Sequence, residues 1–294
     1  MRRHARKLGF AIGLGALGGL GVSWWLGGRL TAPANAPVGP KPPDLELDDV
    51  EFESGRARVR GWWQRGKPGG GAVVLLHPMG DNRRAMLDRA RLLAREGIGS
   101  LLVDLRAHGE TRGSRITFGL RESEDAHAAV RFARERSDGE KIAALGFSLG
   151  GASTLLGAQP IAVDALVLEA VYPSLAEAIE ARIAMRLGAV GSRILAPLFV
   201  AQIRPRLGSP ISALRPIEGI RRLTSPVLVA GGSHDLKTPF AHTERLFAAA
   251  PEPKELWKVE GAEHEDFLAR DPNGYRERVL GFLKRHLGKT ARSI

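Results

Sequence analysis

The 294-residue chain is long enough for one large domain, or a domain with a cap, and its 44% hydrophobic and 26% charged residues are those of an ordinary globular protein. It has no cysteine, which excludes disulfides, thiolate metal sites and a cysteine nucleophile. The formal net charge is +11, but Arg2, Arg3, Arg6, Lys7 and Arg29 fall in the first thirty residues without an acid, and residues 181–224 hold eight arginines against one glutamate. The rest is then nearly neutral, so no basic face of the kind nucleic-acid binding needs is spread over the body.

Residues 8–28, LGFAIGLGALGGLGVSWWLGG, carry no charge and are long enough to cross a bilayer. Trp24 and Trp25 stand near the far end, where an interfacial aromatic belt belongs. The basic cluster Arg2 to Lys7 predicts a cytoplasmic amino terminus and an extracytoplasmic body. A cleaved signal peptide is the alternative, because Ala32-Pro33-Ala34 and Ala34-Asn35-Ala36 loosely resemble small-residue cleavage sites, although Pro37 blocks cleavage after Ala36. A buried amphipathic helix would need a polar face, and none interrupts the run. Residues 1–30 are therefore expected to be an anchor or signal segment. Residues 31–44 are rich in Pro and Ala and are expected to form an extended linker, followed by one domain over 45–294.

In the body, 50–53 and 57–64 read as strands joined by a turn at Ser54-Gly55. A continuous apolar strand follows at 72–76, a helix at 85–96, a strand at 99–104 and a helix at 123–136 with Ala126, Ala129, Val130 and Ala133 on one face. Strands are predicted at 142–147, 165–169, 227–230 and 255–259, and helices at 240–249 and 272–287, the last with Pro272 in its first turn. Strands alternating with helices predict a mostly parallel sheet covered on both faces, with functional groups beyond the carboxyl ends of the strands.

The strand at 142–147 runs straight into Gly146-Phe147-Ser148-Leu149-Gly150, and a second apolar run follows at once. That predicts a strand, a sharp turn and a helix, with Ser148 at the apex in a strained conformation. The bare G-x-S-x-G pattern is weak, and its flanks give it weight. A serine hydroxyl needs a base, and the base needs an orienting acid. His264, in EGAEH just after the last short strand, and Asp235, in AGGSHD just after another, fall on the same side as Ser148. Their chain order is serine, acid, histidine. His234 and Asp266 are the less favoured alternatives for base and acid. His77, Asp104, Arg106 and His108 read as structural groups of nearby loops.

On these residues the chain resembles the α/β-hydrolase serine enzymes over 50–287. LLHPMG at 75–80 is similar to the strand-end HG motif of the oxyanion loop, and DLRAHGET at 104–111 to the D-x-R-G-H-G-x-S turn. The resemblance implies an eight-stranded sheet, a catalytic triad of Ser148, Asp235 and His264, and no metal or organic cofactor. Pro78 stands where the family often has glycine and has no N–H to donate. The oxyanion hole is then expected to use the backbone N–H groups of Met79 and Leu149.

Residues 172–223 are too long for a simple connection and are expected to form a short cap, with helices at about 174–187 and 192–203. Its arginines serve either as a solvated face or as a contact for an anionic membrane surface or substrate. The expected function is a membrane-anchored serine hydrolase cleaving a carboxylic ester, thioester or related small acyl substrate through an acyl-enzyme. The alternatives are a serine aminopeptidase of the same fold, which would want an acidic pocket, and a catalytically silent binding protein.

Overall fold

The computed structural model describes residues 19–288. Among the described residues ten strands are formed: β1 (Ala34–Asn35), β2 (Asp48–Ser54), β3 (Ala57–Gln64), β4 (Ala72–Leu76), β5 (Gly99–Val103), β6 (His108–Gly109), β7 (Ile142–Phe147), β8 (Ala165–Glu169), β9 (Val227–Gly232) and β10 (Lys254–Val259). Eight of them make one sheet in the order β10-β9-β8-β7-β4-β5-β3-β2. The six strands from β10 to β5 pair in parallel, and β3 and β2 add antiparallel at one edge. This is the α/β-hydrolase architecture that the motifs implied.

Alternate residues of each strand feed two cores. Val74 and Leu76 of β4 join the cluster under α3 (Glu122–Arg136) and α4 (Leu149–Leu155), while Val73 and Leu75 join the cluster under α2 (Leu87–Arg95) and the carboxyl-terminal helix. The carboxyl-terminal run is helical from Pro272 to Leu287 and passes through a π turn at Arg276–Leu280. Strand ends match the sequence expectation to within two residues. The helix expected at 85–96 begins instead with a 3-10 turn, Arg83–Met86, because the Asn82 side chain caps it at the Arg84 N–H, 3.0 Å away.

The proline-rich stretch after residue 30 is extended, yet it is tied down. Ala34 donates its N–H to Ala107 O (2.7 Å), and the Asn35 amide reaches Thr111 O (2.8 Å). Val38 is buried in the core. Its composition signals only the lack of regular structure; the docking depends on partners more than seventy residues away.

The cap lies between β8 and β9. Its main helix, Leu175–Ala201, passes through Gly188 at φ 69° and ψ 178°, far from helical values. Ser192 Oγ then donates to Glu180 O at 2.9 Å. In a straight helix those residues would be about 18 Å apart. The segment is therefore a helical hairpin, which matches the two expected cap helices. Residues 175–207 are apolar enough to cross a membrane by length and composition, with a mean hydropathy of 1.5. The bend at Gly188 divides it into arms 175–187 and 189–207; the first is too short for a span, and the second carries Arg193, Arg204 and Arg206. The expected amino-terminal span falls mostly outside the described residues, and its described part belongs to a helix, α1 (19–30).

Candidate active site

β7 ends at Phe147, and α4 begins at Leu149. Ser148 between them has φ 51° and ψ −108°, a positive φ that non-glycine residues rarely adopt. Its N–H is held by Glu169 O at 2.8 Å. The flanking glycines are required by contact. A Cβ on Gly146 would stand 2.3 Å from the Gly151 nitrogen, and one on Gly150 would stand 2.1 Å from Leu76 O. Strand and helix pass too close there for any side chain, and the serine is forced to the apex.

Asp235 sits in the loop after β9 and is buried. One carboxylate oxygen accepts from the N–H groups of Lys237 and Thr238, each at 2.8 Å. The other accepts from His264 Nδ1 at 2.7 Å. With Nδ1 as the donor, Nε2 is the acceptor nitrogen of the neutral ring. The His264 ring also packs edge-on against Phe147, with centroids 5.3 Å apart, so it stands beside the serine turn. The two loops are fastened together, because His234 donates its N–H to Ala262 O (2.9 Å) and a Cβ on Gly232 would meet that same oxygen at 2.4 Å.

Of the less favoured partners, Asp266 is engaged elsewhere and His234 is exposed. Asp266 caps the short helix Phe267–Arg270 and pairs with Arg89 at 2.8 Å. His234 contributes its backbone to the Ala262 contact. His77 is buried, donating from Nδ1 to Pro78 O (2.7 Å) and accepting the Leu105 N–H at Nε2 (3.0 Å). Burial, with His108 and Arg83 nearby, pulls its pKa down to about 3, so it stays neutral. Asp104 bonds the N–H groups of Arg83 and Glu110 and pairs with the Arg83 side chain, while Arg106 pairs with Asp125. All these groups brace loops.

The N–H groups of Met79 and Leu149 donate to no acceptor among the described residues. Both residues line a cavity of about 720 Å³ that also exposes Ser148. Phe118, Tyr172 and the cap line it too, and so do Trp25, Leu26, Arg29 and Leu30 of α1. The sequence carried no sign that α1 would form part of this wall. Among the described residues no group of three His, Asp or Glu is placed to hold a metal ion.

An eight-stranded, mostly parallel sheet with a serine at the β7–α4 turn and an acid and a histidine in loops after β9 and β10 defines an α/β-hydrolase. The chain belongs to the alpha/beta hydrolase family, whose model matches residues 73–278. Its relatives include the uncharacterized protein Rv2307c of Mycobacterium tuberculosis, 34% identical over 239 residues (80% of this chain, 77% of the relative), and the uncharacterized protein YfhR of Salmonella typhi, 26% identical over 272 residues (86% of each). The esterase Pf2001 of Pyrococcus furiosus is similar in structure, with a TM-score of 0.71 at 23% identity, covering 87% of this chain and all of the other. A dienelactone hydrolase from Anabaena variabilis shares the fold at a TM-score of 0.58 and 19% identity, covering 82% of this chain and 98% of that one.

Proposed function

We propose that the protein is a serine hydrolase that cleaves a carboxylic ester or thioester through an acyl-enzyme. The observation that carries this reading is the 2.7 Å bond from His264 Nδ1 to Asp235, on a ring packed against the residue that precedes Ser148. His264 Nε2 takes the Ser148 proton as Oγ attacks the acyl carbonyl carbon. The N–H groups of Met79 and Leu149 hold the resulting oxyanion, and one such donor is worth about a hundredfold or more in rate. The alcohol or thiol leaves with the proton from His264. Water then attacks the acyl-enzyme, again through His264, to give the carboxylic acid and free Ser148.

The esterase-like structural neighbours support this reading. An aminopeptidase would need a carboxylate to receive a free amino terminus, and the cavity lining contains no Asp or Glu. The uncharged run 8–28 and the cluster Arg2 to Lys7 support attachment to a membrane, with the hydrolase domain (45–294, including the cap at 172–223) outside the cytoplasm. A fluorophosphonate probe is expected to label the wild type and not Ser148→Ala, with ester hydrolysis lost in parallel. Equal labelling of both proteins, or of neither, overturns the proposal.

A further inference from the structure

The cavity beside Ser148 is lined by Arg29, Arg182, Arg186, Arg206 and Lys237. None of the five forms a salt bridge among the described residues. Buried and half-buried arginines elsewhere in the molecule do. Arg83 pairs with Asp104, Arg89 with Glu169 at 2.6 Å, and Arg106 with Asp125 at 2.7 Å. Arg29, Arg186 and Lys237 are exposed, whereas Arg182 and Arg206 are half-buried; cations gathered in one concavity repel one another, and the cost of lacking an anion falls on those that see least water.

Arg182 shows this most directly. Its guanidinium donates only to carbonyl oxygens, Ala178 O at 3.1 Å and Lys237 O at 3.4 Å. Burial pulls its pKa below the ordinary arginine value, against the opposing pull of Tyr172 and Asp235. Lys237 follows Asp235 by two residues and gives it a backbone hydrogen bond. The pair Arg182 and Lys237 therefore stands next to the acid of the site.

The other walls are apolar, with Leu26, Leu30, Leu175, Ile179, Ile183 and Phe199 among them. The rim is apolar as well. Nearly all exposed large hydrophobic residues among those described lie on α1 or on the cap hairpin, Val190 (71% exposed) and Ile194 (66%) being the extremes. The two exceptions, Met79 and Leu236, adjoin the site. α1 is fastened to the cap by the Gln202 amide on Ser23 Oγ (3.3 Å) and by Arg206 stacked over the Trp24 ring at 4.0 Å. An amphiphile with an apolar chain and a negative group fits such a cavity.

We infer that the substrate is a long-chain acyl ester or thioester bearing an anionic group on its leaving part, with the chain held between α1 and the cap and the anion held by Arg182 and Lys237. This rests on the serine-hydrolase reading above and names its substrate class. Both membrane lipids and soluble acyl thioesters carry this chemistry.

The test uses full-length protein in neutral detergent micelles, with fatty-acid release from palmitoyl-lysophosphatidylglycerol, palmitoyl-lysophosphatidylcholine and palmitoyl-coenzyme A. We expect kcat/KM to favour the anionic lysolipid over the zwitterionic one by about tenfold or more, and less so at high salt. Arg182→Gln and Lys237→Gln are expected to reduce that ratio to below about threefold, and Arg182→Lys to restore most of it. A higher kcat/KM for palmitoyl-coenzyme A than for the anionic lysolipid assigns the anion to a soluble thioester, and the reverse order assigns it to a bilayer lipid. The ratio compares two substrates on one variant, so partial misfolding does not move it. Tryptophan-fluorescence titration of Ser148→Ala with the two lysolipids reads the same preference without turnover. A ratio near one in the wild type, or one that both glutamine variants leave unchanged, overturns the inference. Preferential binding with no hydrolysis and no probe labelling would sink the catalytic reading alone.

Discussion

At the scale of single residues, Asp235 has every oxygen committed: two backbone donors on one, His264 on the other. That arrangement fixes both the tautomer and the direction of the imidazole. Asp235→Asn presents an amide whose N–H₂ can face His264, favouring the tautomer with its proton on Nε2, where it cannot accept from serine. We expect kcat to fall by about 10³- to 10⁴-fold with little change in melting temperature. A loss smaller than about tenfold would remove Asp235 from the proposed triad. The same scale shows what a motif can and cannot disclose. Gly146 was legible because its steric demand, from Gly150 and Gly151, is local to the turn, and Gly150 because it stands in the same G-x-S-x-G pattern, although its own demand comes from Leu76 O on the neighbouring strand. Gly232 was not, since its need for glycine comes from Ala262 O, thirty residues further on.

At the scale of elements, the cap hairpin turns on Gly188. Its φ and ψ lie in a region only glycine enters without strain, although open space surrounds it. Gly188→Ala is therefore a conformational change and not a packing change, costing about 1–3 kcal/mol locally. Hydrogen exchange is expected to rise across 175–201 while the core strands keep their protection; unchanged exchange in the cap would refute it. Strand positions were readable because β4, β5, β7, β8 and β9 are buried on both faces and show as apolar runs interrupted only by Ser100 and Glu169. The two cap helices were readable from the glycines between them and their apolar content. The docking of α1 on Gln202 and Arg206 was not, because neither sequence has a pattern that names the other.

For the whole molecule, burial depresses the pKa of His77, His108, His127, His242 and His286, and His77 reaches about 3. An unfolded histidine titrates near 6.5. The unfolded chain thus binds more protons below that pH, and stability present above about 6.5 is lost as pH falls toward 3. Asp104 and Glu122, raised by burial, act in the opposite sense in the carboxylate range. Comparing wild type with His77→Gln cancels those carboxylates. Between pH 7.5 and 5 the wild type is expected to lose about 2 kcal/mol more unfolding free energy than the variant. Parallel urea-denaturation curves across that range would exclude His77 as a source of acid sensitivity.

The strand pair at residues 34–35 also sets an order of events in biogenesis. Ala34 and Asn35 are hydrogen-bonded into the folded body at His108 and Gly109, and Ala36 N–H bonds Gly109 O at 3.0 Å. A peptidase needs such a segment free and extended in its own cleft. Cutting after Ala34 must therefore precede folding, and it would discard α1 along with one side of the chamber over Ser148. A protein that folds before it is cut keeps that side for good. Retention of residues 19–30 and the shape of the chamber are thus decided together, before the body folds.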